Sequence, residues 1–80
     1  MLLRDLNTGE KAVIKKVELG DEKAVKRLAD LGVFAGESIV LEGGSKRKKF
    51  FVISAGGKKA GVSLDVASAI IVEKAGRYEF

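Results

Sequence analysis

The run Arg27-Leu28-Ala29-Asp30-Leu31-Gly32-Val33-Phe34-Ala35-Gly36 constrains the fold of this chain more than any other segment. It reads as the end of a short helix, a glycine stop, a brief loop and a second glycine that launches a strand. Glycine suits the position just past a helix because the left-handed backbone conformation wanted there is one that side chains resist. The run separates a hairpin-poor front from a strand-rich back. It carries no obvious catalytic group.

The front opens with a short segment flanked by Leu3 and Leu6, then a turn at Asn7-Thr8-Gly9. Residues Ala12 to Leu19 are rich in β-branched side chains and predict strand one. Their apolar phase shifts between Ile14 and Val17, which suits a bulge or strong coiling. Asp21 is placed to cap a helix by accepting an amide hydrogen of its first turn. Ala24, Val25, Leu28 and Leu31 recur at helical spacing and are expected to face the core. Glu22 and Lys26 form an i,i+4 pair worth about 0.2–0.5 kcal/mol, and the like-charged Lys23 and Arg27 cancel much of that gain.

In the back, Glu37 to Glu42 reads as strand two, with Ile39 and Leu41 inward, and Gly43-Gly44-Ser45 as the turn that follows. Lys49 to Ser54 reads as strand three. Its consecutive Phe50, Phe51, Val52 and Ile53 do not show which side faces in, although at least one phenylalanine is needed as core. Ala55-Gly56-Gly57-Lys58 is expected to be a hairpin turn, since paired glycines adopt the turns that match strand twist. Lys58 to Val62 forms strand four. Ser63 caps one helical turn through Ala67, with Val66 or Ala67 and Ile70 turned inward, and Ala69 to Lys74 closes the set.

Eighty residues bury roughly 60% of the surface that the unfolded chain exposes, so the core must be thin. Five short strands at that size cannot cover both faces of a flat open sheet. A mainly β fold follows: a small, strongly bent, partly closed barrel, which also removes exposed edges. A helix is inserted after strand one and covers one opening. A short helical turn precedes the last strand.

The chain has no cysteine and no histidine. Disulfides, thiolate zinc clusters and thiol catalysis are excluded, together with imidazole as base or ligand. Asp21, Glu22 and Asp30 would be weak, hard-oxygen donors to iron without imidazole or thiolate support. Asp65 is better placed as a first-turn helix residue. No enzyme activity and no cofactor are expected. Apolar runs fall far short of the ~20 residues of a membrane span. The beginning of the chain has no signal-peptide core, so a cytoplasmic protein is expected.

Two surface features remain. The first is Lys46-Arg47-Lys48-Lys49, where the net charge of +4 is concentrated. It reads as a contact for phosphate, an acidic protein face or anionic lipid, or as a solvated loop. Phe50 and Phe51 beside it keep a nucleic-acid-binding module open as an alternative. The second is Leu31, Val33 and Phe34, which form an apolar protein contact if exposed; otherwise Phe34 plugs the barrel mouth. Gly56-Gly57-Lys58-Lys59 lacks the spacing of a phosphate loop.

Taken in order, Leu6 and Gly9, Ala12 and Ile14, Arg27-Leu28 through Leu31-Gly32, Gly36, Gly57, Val62, Ala67, Ile70 and Val72 resemble the FeoA family across nearly the whole chain. That resemblance implies an SH3-like barrel over residues 1–75, followed by a tail at 76–80. It also implies a small cytoplasmic accessory of ferrous iron uptake. Its implied partner is the membrane transporter with a cytosolic guanine-nucleotide-binding domain. Leu31, Val33, Phe34, Lys46, Arg47, Lys48 and Lys49 are the residues expected to make protein contact. Ala35 departs from a position where the family often has proline, and the 43–49 region is shorter than usual and lacks proline.

Overall fold

In the computed structural model, residues 1–74 are described. The expected tail at 76–80, and Ala75 at the end of the expected domain, lie outside the described residues. Five strands, β1 (Lys11–Val17), β2 (Ser38–Ser45), β3 (Phe50–Ala55), β4 (Lys58–Ser63) and β5 (Ile70–Lys74), form one antiparallel sheet in the order β4-β3-β2-β1-β5. Helix α1 (Glu22–Asp30) follows β1, and the four-residue α2 (Leu64–Ala67) joins β4 to β5. A 3-10 helix at Leu3–Asp5 precedes the sheet.

The expected mainly β chain and both helical insertions are present, but the sheet does not close into a true barrel. Its terminal strands, β4 and β5, do not pair with each other. The reason lies in the connection. Helix α2 packs on β3, β4 and the 3-10 helix, and the 3-10 helix packs on β5. These two helical turns fill the place where a closing ladder would run.

Two bulges bend the sheet. The register of β1 against β5 shifts between Ile14 and Lys16, which is the phase change visible in the sequence. That of β2 against β3 shifts between Leu41 and Gly43. An extra residue on one strand kinks it and strengthens its twist. The second bulge corrects the expected turn at Gly43-Gly44-Ser45: these residues continue β2, and the turn falls at 46–49. Gly44 makes this possible. Its φ is +99°, and a Cβ there would overlap the Phe50 carbonyl oxygen.

The other turn follows the sequence. Gly56 and Gly57 have φ of +57° and +81° and join Ala55 to Lys58 as a two-residue hairpin. Both caps form as well. The Asp21 carboxylate accepts from the Lys23 N–H at 2.9 Å, and the Ser63 hydroxyl accepts from the Val66 N–H at 3.3 Å.

A single core lies inside the bend, built on Leu3, Ile14, Ile39, Leu41, Phe51, Ile53, Ile70 and Val72, with no buried polar or charged residue among those described. Phe51 and Ile53 point inward and Phe50 outward, which settles the ambiguous run. Helix α1 departs from expectation. Leu28 is its one buried residue, Ala24 and Val25 are half-buried, and Leu31 is exposed. The nine-residue helix follows its N-cap and ends at Asp30, two residues before Gly32, so a single buried side chain anchors it and it does not lid the sheet.

The N-terminal segment is fastened by charge and by backbone. Glu10 meets the Lys74 ammonium at 2.7 Å and accepts the Asn7 N–H at 2.6 Å. Those bonds, the Lys74 one foremost, hold its carboxyl below its ordinary value of 4.5. A carboxyl whose folded pKa is depressed contributes stability that is present above the unfolded value and lost as pH falls through the folded one.

Two measurements check this description. Gly44→Ala should destabilise the protein by more than ~2 kcal/mol in denaturant unfolding, since the backbone must move as well as strain. Gly9→Ala, equally left-handed at +92° but in open space, should cost only about 1–2 kcal/mol. In an NMR titration, Lys74→Ala should move the Glu10 carboxyl upward toward its ordinary value. An unchanged titration midpoint removes Lys74 from the account.

Candidate functional site

The turn at 46–49 is set by its ends. The Ser45 hydroxyl accepts the Lys48 N–H at 3.2 Å, and the Lys49 N–H donates to the Lys46 carbonyl at 3.2 Å. Lys49 has φ +58°, the one left-handed backbone among the described non-glycine residues. Its carbonyl accepts from the Leu64 N–H at 3.0 Å, tying the turn to the start of α2. Lys46, Arg47, Lys48 and Lys49 are all exposed, so four cations crowd one short loop.

Two residues missed by the sequence reading join this loop. Lys46 pairs with Asp5 at 3.4 Å, and Arg4 lines the same cleft of about 360 Å³ with Asp5, Asn7, Ser45, Lys46 and Arg47 over a floor that includes Leu6 and Phe51. The Asp5 carboxyl is held below its ordinary value, first by the Leu2 N–H and then by Lys46. No local pattern could have signalled the pairing, because some forty positions separate the partners. Both ionic groups stand partly in water, so the pair itself is worth little.

The apolar candidate divides. Val33 is 1% exposed and belongs to the core, which removes it from any surface. Its N–H donates to the Leu28 carbonyl at 2.8 Å, so the chain turns inward at the helix stop and draws Val33 in. Leu31 and Phe34 are 37% and 44% exposed, and Phe34 does not plug an opening. Gly36 at φ +94° then donates its N–H to the Ile14 carbonyl at 2.7 Å and starts the approach to β2. The loop thus shows two apolar side chains outward around one buried anchor. Phe50, at 49% exposure, is a further outward aromatic.

The described residues contain no cluster of three or more His, Cys, Asp or Glu able to hold a metal, and no helix among them is long and apolar enough to cross a membrane. What the surface offers is an exposed basic turn, two apolar side chains at a helix stop and an aromatic on the outer sheet face.

The chain belongs to the FeoA family: the FeoA domain model matches residues 1–74. Solved structures share its fold. The FeoA protein of Chlorobium tepidum is 22% identical, with a TM-score of 0.88, over 99% of this chain and 74% of that one. Iron(II) transport protein A of Clostridium thermocellum is 28% identical, with a TM-score of 0.83, over 95% of this chain but 46% of its own. The FeoA of Stenotrophomonas maltophilia, an SH3 domain protein solved with zinc, is 22% identical, with a TM-score of 0.76, over 91% and 89%. No curated protein matches the chain in sequence.

Substitution separates surface from core here. Leu31→Ser and Phe34→Ser should each change unfolding stability by less than ~0.5–1 kcal/mol, as exposed positions do. Val33→Ala should cost about 2 kcal/mol through its lost core packing. Equal losses at all three positions in urea titrations would contradict the division.

Proposed function

We propose that this protein is a non-enzymatic accessory or regulator of bacterial or archaeal ferrous iron uptake. It acts in the cytoplasm by contact with the guanine-nucleotide-binding part of the membrane transporter. The observation that carries this reading is the FeoA match over residues 1–74, with an iron(II) transport protein A among the similar structures. Membership of the family brings the accessory role in iron transport, and the transporter's cytosolic domain is the partner inferred from it.

Surface chemistry supports action by contact. Phe34 and Leu31 supply apolar anchors, and aromatic side chains are enriched at protein interfaces. Lys46 to Lys49 supply long-range attraction, which speeds encounter with an acidic face. The two features have different signatures. Loss of an apolar anchor speeds dissociation, whereas loss of rim charge slows association.

Co-purification with the transporter's cytosolic domain tests the proposal. The full chain should bind. Phe34→Ser should weaken binding at least tenfold, chiefly by faster dissociation, and charge reversal at Lys46 to Lys49 should chiefly slow association. Absence of binding to both the cytosolic domain and the intact transporter overturns the reading. The basic turn beside exposed Phe50 gives the nucleic-acid alternative its specific footing. It requires mixed-oligonucleotide affinity to fall steeply with salt, losing about one unit of slope for each phosphate-contacting lysine removed.

A further inference from the structure

The two ends of the sheet are treated differently. At one end, β5 is covered by the chain's own beginning. Leu2 bridges Ile71, the Val72 N–H donates to the Met1 carbonyl at 2.8 Å, and the terminal ammonium donates to the Val72 carbonyl at 3.2 Å. At the other end, β4 pairs with β3 alone, and no described strand lies beyond it.

The hairpin fixes which backbone groups of β4 are left over. With a two-residue turn at Gly56-Gly57, Ala55 and Lys58 form a hydrogen-bonded pair, and bonded pairs alternate from there. Lys58, Ala60 and Val62 therefore bond to β3, and Lys59, Gly61 and Ser63 turn their N–H groups outward. Lys59 and Gly61 also turn their carbonyls outward. An unpaired row of this kind is a template for another strand.

Of the devices that blunt an edge, β4 has the charge of Lys58 and Lys59 but lacks proline and a bulge. It contains no proline, and its register against β3 runs without a bulge from Phe50↔Ser63 to Ala55↔Lys58. Gly61 presents no side chain of its own. A Cβ there would sit 2.5 Å from Phe50 Cζ, so the half-exposed ring lies across Gly61 as a shelf beside the open edge. At the far end of the strand, Lys49, Ser63, Leu64 and Asp65 line a cleft of about 370 Å³.

Charge selects the occupant. Lys58 and Lys59 stand at one end of the edge and Lys49 at the other, with Asp65 the acid in the cleft. A second copy of a chain of net charge +4 is repelled. We infer that β4 is a strand-addition site for an extended acidic segment of a partner protein, which pairs with Lys59, Gly61 and Ser63, packs an apolar side chain on Phe50 and directs carboxylates to the flanking lysines. This deepens, and rests on, the contact function proposed above. It adds backbone pairing, the mode in which ladder bonds supply affinity and alternate side chains supply specificity.

The test uses the full-length ¹⁵N-labelled protein and two capped seven-residue peptides, one alternating valine with glutamate and one alternating valine with lysine. The glutamate peptide should shift the Lys59, Gly61 and Ser63 amides and slow their hydrogen exchange at least tenfold, and the lysine peptide should not. Lys58→Glu with Lys59→Glu, both exposed and so without effect on folding, should reverse the preference. Lys59→Pro, which removes an outward N–H and no ladder bond, should abolish binding of the glutamate peptide. Several results would overturn the inference: no shift, shifts confined to Lys46–Lys48 or to Leu31 and Phe34, equal binding of the two peptides, or contacts from residues 75–80 already occupying β4. Because the transporter domain is absent, failure here with co-purification intact removes the edge and leaves the contact function standing.

Discussion

Curvature is the constraint on which the rest of this molecule depends. A thin core of aliphatic side chains around Phe51 stays dry only if one short sheet wraps it. The wrap is produced by an extra residue in β1 and another in β2, and by Gly44, the one residue type that fits where the backbone meets the Phe50 carbonyl. The core holds no buried polar residue among those described, and the one buried polar side-chain atom left without a partner there is Arg4 Nε. The helical turns between β4 and β5 then complete the enclosure by packing, where a ladder would have completed it by hydrogen bonding.

The same bend sorts the surface. Phe50 stands on the outer face while Phe51 fills the core, and Arg4 and Asp5 lie beside the basic turn. The bend also leaves α1 outside, held through Leu28, so that the helix stop shows Leu31 and Phe34 to solvent. The resulting surface carries apolar side chains around a buried Val33, cations on a turn with a left-handed residue, and, among the described residues, a strand with no further strand beyond it.

Much of the fold was legible because its signals are local. Asp21 and Ser63 are caps whose side chains reach amides two or three residues away, and Gly56-Gly57 is a turn dictated by its own backbone. The bulge near Ile14 appeared as a slip in apolar phase. Gly43-Gly44-Ser45 misled because glycines that end strands look the same as glycines that bend them. Only pairing with Val52, Phe51 and Phe50 distinguishes the two. The helix pattern at Ala24, Val25, Leu28 and Leu31 misled for a related reason. An apolar stripe states that a face avoids water, not how much core is available to receive it, and an 80-residue chain had room for Leu28.

The amino-acid sequence by itself determined the order of elements, their caps and turns, the absence of thiol and imidazole chemistry and the FeoA pattern, because each resides in residue identity or short-range spacing. Tertiary structure alone decided that Phe51 faces in and Phe50 out, that Val33 is buried and Phe34 exposed, and that β5 is bridged by the N-terminal segment while no described strand lies beyond β4. Those outcomes depend on strand register and on which segments compete for one small core. Register is a property of pairs of strands, and a one-residue slip in either would exchange every side chain between the core and the water.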